Sequence, residues 1–391
     1  MITHPEKVLF PDDGITKGEL AAYYQAIAPL MLPHLRARPV TMERYPQGIG
    51  EKGFFHKDVA RGFPAWLERV AMAKKDGVVH HPIVMDARAL SWIANQNCIT
   101  LHVSAARAPD LLHPDLCIFD LDPSVDDDDA LRRAALEQRA LLAELDLTSW
   151  VKTSGSKGFH LAVPLDRQTH TGEVAWFAHR VGARLVERDP ETFTQEFHKV
   201  DRGGRILIDT GRNDYSATFA AAYTVRARAG APVSAPCTWQ EIERGTVGPR
   251  SFALRTMAAR VAAVGDPWVD LPGTRARCRV RSRSCAKCSE RCQQTQAPTA
   301  RNGSQTRAGR SRRRQRGGNA PRTRSGARPR AARCRQCSLA SDRRVRAVIA
   351  AHRQTGAREW RSRRSRRARS RATLAASRRC SPRRPSAAPR H

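Results

Sequence analysis

The chain has 391 residues and a formal net charge of +32 at pH 7. The positive charge is confined to one part: residues 273–391 contain 36 Arg and 1 Lys against 3 acidic residues, whereas residues 1–272 contain 32 basic and 34 acidic residues. The first part is therefore a near-neutral globular sequence, which excludes a protein that is basic throughout. No run of 18 apolar residues or signal-peptide pattern occurs, so we expect no membrane partner and a cytoplasmic location.

The first predicted element is a helix after Thr16, which forms a capping-box pattern with Glu19. Apolar residues then recur at helical spacing, and we expect Pro33 to end the helix. Short apolar runs and amphipathic segments predict strands at 40–45, 83–85, 99–103, 116–119, 150–153, 159–163 and 205–208, and helices near 89–95, after 126–129 and at 173–188. Strands that alternate with helices indicate an α/β fold with a mixed sheet.

Three acidic residues follow two of the apolar strands. Asp120 and Asp122 alternate along one strand, so their carboxylates point to the same face. Asp209 ends a second apolar strand. Two carboxylates held this close repel each other unless a divalent cation lies between them, and three carboxylates at strand ends suit two-metal phosphoryl transfer. An isolated Asp-x-Asp is more often a pair of solvated acids, so the pattern needs support from other segments.

That support comes from the loop Ser154-Gly155-Ser156-Lys157-Gly158, which joins two predicted strands. Two glycines allow the backbone N–H groups to turn towards an anion, the hydroxyls can donate, and Lys157 adds a positive charge. The simplest alternative is a Gly-Ser hairpin without a ligand. His160 and His102 lie near these segments, and a single histidine such as His102 is commonly an ordinary core or surface residue.

Six segments, in this order, resemble the polymerase domain of bacterial non-homologous end-joining ligase D, of the archaeo-eukaryotic primase superfamily. They are Val8–Pro11 with Thr16-Lys17, Phe54–Lys57, Phe119–Pro123, Thr153–His160, Ile208-Asp209 with Arg212-Asn213, and Tyr223–Arg228. The resemblance covers about residues 2–271. It implies a primase-polymerase-like mixed sheet core with an N-terminal α/β subdomain, within a domain of residues 1–272.

The resemblance implies a template-dependent polymerase that adds nucleotides, preferably ribonucleotides, at DNA ends and gaps. Two manganese or magnesium ions would be its cofactors, with nucleoside triphosphates and 5′-phosphorylated DNA as substrates and Ku and an ATP-dependent ligase as partners in the bacterial cytoplasm, near the nucleoid. By position, the metal ligands would be Asp120, Asp122 and Asp209, and the nucleotide contacts His102, Ser154, Lys157, His160, Arg202 and Arg226. Lys7 and Lys17 would bind the DNA 5′-phosphate, and Phe54 and Phe55 would stack on template bases.

Residues 273–391 form a predicted second region, rich in arginine and poor in large apolar side chains. Such a composition predicts disorder. Its origin is open: Arg, Ala, Gly and Pro share GC-rich codons, which favours translation out of frame, but a basic arm that binds DNA phosphates has the same composition. The cysteine pairs 285/288 and 334/337 have zinc-ligand spacing, although the sequence between them is typical of composition bias rather than of a zinc domain.

Two other functions remain open at this stage. One is an initiating primase of the same superfamily, which would start chains without a primer. The other is a catalytically inactive module that binds DNA ends, although carboxylates facing DNA phosphates would weaken such a binder. We expect no nick sealing, although the pattern Lys-x-Asp-Gly occurs once, at Lys74–Gly77, within the part of the chain that resembles the polymerase domain.

Overall fold

The computed structural model describes residues 2–59 and 62–274. The predictions for the arginine-rich tail, including its cysteine pairs and its disorder, fall outside these residues. The boundary at residue 272 stays a prediction. In the described ranges, no helix is both long enough and apolar enough to cross a membrane.

The strands are β1 (Val8–Phe10), β2 (Ile15–Thr16), β3 (Val40–Arg44), β4 (Phe54–His56), β5 (Arg69–Lys74), β6 (Gly77–Pro82), β7 (Cys98–Val103), β8 (Leu116–Pro123), β9 (Trp150–Thr153), β10 (Phe159–Pro164), β11 (Phe193–Thr194), β12 (Ile206–Asp209), β13 (Phe219–Ala220), β14 (Thr224–Val225), β15 (Val233–Ser234) and β16 (Pro236–Cys237). The helices are α1 (Lys17–Leu35), α2 (Ala87–Asn95), α3 (Asp128–Glu144), α4 (Thr171–Arg188), α5 (Trp239–Arg244) and α6 (Met257–Val264).

A six-stranded sheet in the order β11-β12-β8-β10-β9-β16 forms the centre of the fold. Only the β11–β12 pair is parallel. Helices α3 and α4 pack against its central strands. Strand β8 lies between β10 and β12. The side chains of β8 that point away from the helices therefore have neighbouring side chains from both of these strands.

A second sheet, in the order β13-β7-β3-β4, is antiparallel throughout. Helices α1 and α2 pack together, and α2 contacts β7. Strand β4 is the edge of this sheet, and the hairpin β5–β6 follows it in the chain. Residues 15–103 supply most of this sheet and its helices, as the prediction of an N-terminal α/β subdomain requires, with β13 added from later in the chain.

Most predicted elements are confirmed, including the mixed α/β sheet and the capping box of Thr16 and Glu19. The prediction that Pro33 ends α1 is wrong, because the helix runs to Leu35. The turn survives because the N–H of Arg36 still donates to the carbonyl of Leu32 at 2.9 Å. The strand predicted at 83–85 is also wrong: the ladder ends at Pro82, which has no N–H to donate, and Ile83 makes only an isolated bridge.

Candidate active site

The three predicted metal ligands meet on neighbouring strands. Asp120 and Asp122 point to the same face of β8, and Asp209 on β12 lies directly opposite Asp120 in the antiparallel register. Burial raises the pKa of Asp120 to about 6; Arg212 opposes this rise, and the charges of Asp209 and Asp122 add to it. The structure therefore brings together the three carboxylates at the centre of the larger sheet.

Two arginines now balance these carboxylates. The guanidinium of Arg212 lies 3.2 Å from Asp120 and 3.0 Å from Asp209, so it bridges the two acids. Arg202 lies 2.9 Å from Asp122, and its other nitrogens donate to the carbonyls of residues 196 and 197. All three of its nitrogens thus have protein partners, and the predicted nucleotide contact of Arg202 stays a prediction. The sequence analysis assigned no role to Arg212. Its position three residues after Asp209, across a turn, was the feature that could have indicated an ion pair with that acid.

Oxygen-only ligands of this kind fit hard divalent cations such as manganese or magnesium. A partly buried carboxylate with a raised pKa beside two further acids is a site where added positive charge would be favourable. Across residues 2–59 and 62–274, however, the structure holds no preassembled group of three metal-ligating side chains. The arginines occupy part of the space around the acids, so ion binding requires the carboxylates to exchange partners.

The row of residues across the sheet continues beyond the acids. His160 on β10 is the register partner of Asp120, with its Nε2 3.4 Å from the carboxylate, and Lys152 on β9 is the partner of His160. Burial, followed by the charge of Lys152, holds the pKa of His160 well below its ordinary value. The ammonium of Lys152 is fully buried and donates to the hydroxyl of Ser234. Sequence reasoning missed Lys152, because a lysine within a short strand gives no sign of burial.

The loop Ser154–Gly158 lines one wall of the pocket above the acids. Gly155 has a φ of +64°, and a Cβ on Gly158 would lie 1.7 Å from the carbonyl oxygen of Leu121, so both positions require glycine. The Ser154 hydroxyl accepts from the N–H groups of Ser156 and Gly158, each at 3.1 Å, and the Gly155 N–H donates to a carbonyl. These three N–H groups are thus bonded within the protein and do not face an anion in the structure, and the phosphate contact predicted for the loop stays a prediction.

The side chains of this wall remain suited to a phosphate. Lys157 lies 3.4 Å from the exposed carboxylate of Asp126, and its ammonium faces the pocket region. Arg226, on the segment after β14, donates to the Ser154 carbonyl at 2.9 Å and also lines the pocket. This wall thus presents a lysine and serine hydroxyls from the loop and an arginine from the neighbouring segment, rather than a ring of backbone donors.

His102 on β7 also lines the pocket. Its Nε2 lies 2.9 Å from the carboxylate of Glu43, a partner that sequence reasoning missed. Burial lowers the pKa of His102, although the hydrogen bond to Glu43 opposes this. The ring of Phe55 packs edge-on against His102, with 5.4 Å between centroids. Phe54 points to the other face of β4, so the two predicted stacking residues do not share a surface.

The predicted phosphate-binding lysines lie together near the start of α1. The N–H of Lys17 donates to the carbonyl of Lys7 at 2.8 Å, and the buried ammonium of Lys17 donates to the carbonyl and hydroxyl of Thr3 at 2.7 and 3.2 Å. Burial, followed by the charge of Lys7, lowers the pKa of Lys17. This pair forms a second cationic site apart from the pocket around Asp120.

The LigD primase-polymerase domain model matches residues 16–268 of this chain. The chain belongs to the LigD primase-polymerase family. The multifunctional non-homologous end joining protein LigD of Mycolicibacterium smegmatis is 38% identical over 244 residues, which are 62% of this chain and 32% of that protein. The protein of the same name from Pseudomonas aeruginosa is 37% identical over 285 residues, 71% of this chain and 33% of that protein. This family member thus spans about a third of the length of these relatives.

Solved structures give the same assignment. The polymerase domain of Mycobacterium tuberculosis ligase D, determined in complex with DNA, superposes with a TM-score of 0.66 and is 34% identical. The similarity covers 71% of this chain and 99% of that structure. The LigD polymerase fold predicted from the six sequence segments is therefore confirmed.

Proposed function

We propose that the chain is a template-dependent nucleotidyltransferase that adds nucleotides, preferably ribonucleotides, to DNA ends and gaps in bacterial non-homologous end joining. One observation carries the proposal: Asp120 and Asp122 open into the same pocket as Lys157, Arg226 and His102. The carboxylates of this pocket suit metal ions, and its cations suit a triphosphate. Membership of the LigD family supports the proposal.

We propose that Asp120, Asp122 and Asp209 hold two manganese or magnesium ions. Such ions, when bound, neutralise phosphate charge and make the attacking hydroxyl a better nucleophile. Until then, Arg202 and Arg212 supply the compensating charge to the acids.

In the proposed reaction, the 3′-oxygen of the primer forms a bond to the α-phosphorus of the nucleotide. The bond from that phosphorus to the oxygen of the leaving pyrophosphate breaks, and the proton of the hydroxyl passes to water. Lys157 and Arg226 attract the triphosphate, and the Ser154 loop, fixed by its own hydrogen bonds, holds them in place. Glu43 orients His102 towards the nucleotide, and Phe55 beside it supports the template base.

The DNA end is held by the second cationic site. Lys7 and Lys17 are neighbours through a backbone hydrogen bond, and a 5′-phosphate shared by them would bring a compensating negative charge to the buried ammonium of Lys17. The structure of the M. tuberculosis relative is a complex with DNA, which supports DNA binding by this chain. We further propose that the chain works with Ku and an ATP-dependent ligase in the bacterial cytoplasm, near the nucleoid.

The test is single-nucleotide addition to gapped DNA with a primer and a downstream 5′-phosphate, with manganese, comparing ribonucleotides with deoxyribonucleotides. We expect addition opposite the template base, faster with ribonucleotides, and none on an unprimed single strand. Synthesis on unprimed strands would show a primase instead, and binding without any addition would show a non-catalytic end-binding module.

A further inference from the structure

A ridge of aromatic and cationic side chains leads away from the template region on the outer face of β4. Its rings follow one another at centroid distances of 6.1 Å (Phe54 to His56), 5.2 Å (His56 to Phe63) and 4.8 Å (Phe63 to Trp92). Arg44 lies over Phe54, 5.4 Å from its centroid. These rings face away from Phe55 and His102, so they form a surface separate from the nucleotide pocket.

The ridge continues along α2. Arg88 and Trp92 are four residues apart and therefore lie on the same face of this helix. The guanidinium of Arg88 stacks on the ring of Trp66, 4.0 Å from its centroid, and both side chains are exposed, Trp66 by 36%. We call the six residues the α2 ridge: Phe54, His56, Phe63, Trp66, Arg88 and Trp92.

Helix α2 also reaches the site proposed for the 5′-phosphate. The side-chain oxygen of Asn95, at its last turn, accepts hydrogen bonds from the N–H and hydroxyl of Thr3 at 2.9 and 3.1 Å. Thr3 in turn accepts from the ammonium of Lys17. The ridge therefore borders the path from the template region to the downstream side of bound DNA.

We infer that the α2 ridge binds single-stranded template ahead of the templating base when no downstream strand is present. This inference rests on the proposed function, because the ridge starts at Phe54, the neighbour in β4 of Phe55, which is proposed to support the template base. Aromatic faces stack on unpaired bases of any sequence, and the arginines attract the phosphates between them. In a paired downstream duplex the faces of the template bases are stacked and cannot contact the rings. Gapped DNA would therefore be bound at the lysine site, and DNA with an unpaired 5′ template overhang would be bound at the ridge.

The experiment measures the affinity of the full chain for primer-templates that lack a downstream strand and carry an unpaired 5′ template overhang of about eight nucleotides, long enough to cover one binding site. One overhang is of thymidines, and the other has the same phosphates without bases. Since the two have equal charge, any excess affinity for the thymidine overhang reports stacking. We expect the wild-type chain to prefer the thymidine overhang by at least about fivefold, the effect of one stacked base.

Trp66→Ala should bring this ratio close to one. Arg88→Gln should lower it, because Arg88 packs on the ring of Trp66 and holds that ring in place. Both variants should keep the wild-type affinity for gapped DNA that carries a 5′-phosphate. Trp176→Ala is the matched control, because Trp176 is an exposed tryptophan on α4, a helix of the other sheet. If circular dichroism shows that Trp66→Ala is not folded, Arg88→Gln alone tests the inference, because Arg88 is exposed and its replacement should leave the fold intact. A wild-type ratio near one would overturn the inference. So would a wild-type ratio in Arg88→Gln together with a wild-type ratio in Trp66→Ala, if that variant folds. A loss of the ratio in Trp176→Ala as large as in the ridge variants would also overturn it. The ratio is read from binding alone, so it stays interpretable even if nucleotide addition is absent.

Discussion

At the scale of single residues, the charged groups of the pocket already have partners within the protein. Lys157 pairs with Asp126, Arg212 bridges Asp120 and Asp209, and Arg202 pairs with Asp122. A nucleotide that enters must compete with these contacts. The pair of Lys157 and Asp126 is the most exposed of them and the simplest to change without altering the proposed metal ligands.

Asp126→Asn should lower the apparent KM for the nucleoside triphosphate by about 1.5- to 5-fold, the range expected for an exposed ion pair. The change removes a carboxylate that competes with the triphosphate for Lys157. Initial rates at varied nucleotide concentration give the value. Asp129→Asn is the matched control, since it removes the same charge from a residue that pairs with Arg132 instead. If both variants lowered the KM equally, the effect would come from the change in net charge and not from the ion pair of Asp126 with Lys157.

Lys7→Gln should weaken the preference for a downstream 5′-phosphate about 10-fold or more, because a contact from a charged donor to phosphate contributes about 1.5–3 kcal/mol. Lys7 is suited to this test because it is only half-buried, whereas Lys17 is held by Thr3 inside the fold. The measurement compares affinities for phosphorylated and unphosphorylated gaps. A preference as large as that of the wild type would exclude Lys7 from the phosphate site.

At the scale of elements, the hairpin β14–β15 connects the two sheets around the pocket. On one side, the hydroxyl of Tyr24 on α1 accepts from the N–H of Val225 at 3.1 Å and donates to the carbonyl of Ile99 on β7 at 2.6 Å. On the other side, the hydroxyl of Ser234 accepts from Lys152 and donates to the carbonyl of Thr153 at 2.9 Å. Arg226 follows β14 directly, so these buried hydrogen bonds fix its position relative to the Ser154 loop.

Tyr24→Phe should lower the free energy of unfolding by about 1–3 kcal/mol, because it leaves the buried N–H of Val225 without its acceptor. It should also raise the KM for nucleotide through a less constrained Arg226. Denaturant unfolding and initial rates test the two effects. Tyr215→Phe is the control: its hydroxyl also accepts from a backbone N–H, that of Ala73, but on the hairpin β5–β6. A change in KM of the same size in the control would contradict the role of Tyr24 in positioning Arg226.

At the scale of the whole described domain, the segment around Asp266 closes the fold. Its carboxylate lies 3.1 Å from Nε2 of His34 at the end of α1 and accepts from the hydroxyl of Tyr223 at 2.6 Å. Trp268 is buried, and its indole N–H donates to the carbonyl of Val151 at 2.9 Å. The segment therefore ties α1 to the central sheet from the far end of the domain.

The pKa of Asp266 gives this closure an acid limit. Burial raises this pKa, but the hydrogen bonds from His34 and Tyr223 together lower it by more than burial raises it. The pKa of Asp266 therefore lies below its ordinary value of 3.8. A carboxyl with a depressed folded-state pKa stabilises the fold above about pH 4, its unfolded pKa, and this contribution is lost as the pH falls through the folded-state value. Asp266→Asn should cost about 1.5–3 kcal/mol near neutral pH and less at pH 3. Melting curves across pH test this, with the exposed Asp270→Asn as control; a penalty independent of pH would contradict the assignment.

The sequence predicted the central strands and their acids because apolar runs and period-two alternation are local signals. The sequence could not predict that Asp209 lies directly opposite Asp120, because this register depends on how two strands that are distant in the chain align. Lys152 was missed because its burial arises from packing on both sides. The two-residue strands β13 to β16 were missed because so short a run has no periodicity. The internal hydrogen bonds of the Ser154 loop were not predictable either, because they depend on how the loop folds back on the Ser154 hydroxyl and on a distant carbonyl.

The central claim is that the three carboxylates carry out nucleotide addition, and single-turnover addition to gapped DNA with manganese tests it most directly. Asp120→Asn, Asp122→Asn and Asp209→Asn should each slow addition by at least about 100-fold, the scale expected when charge stabilisation is lost at a reacting centre. All three variants should keep the wild-type affinity for phosphorylated gapped DNA, and Asp129→Asn should keep the wild-type rate. Addition at near wild-type rate by any of the three would contradict the account for that residue.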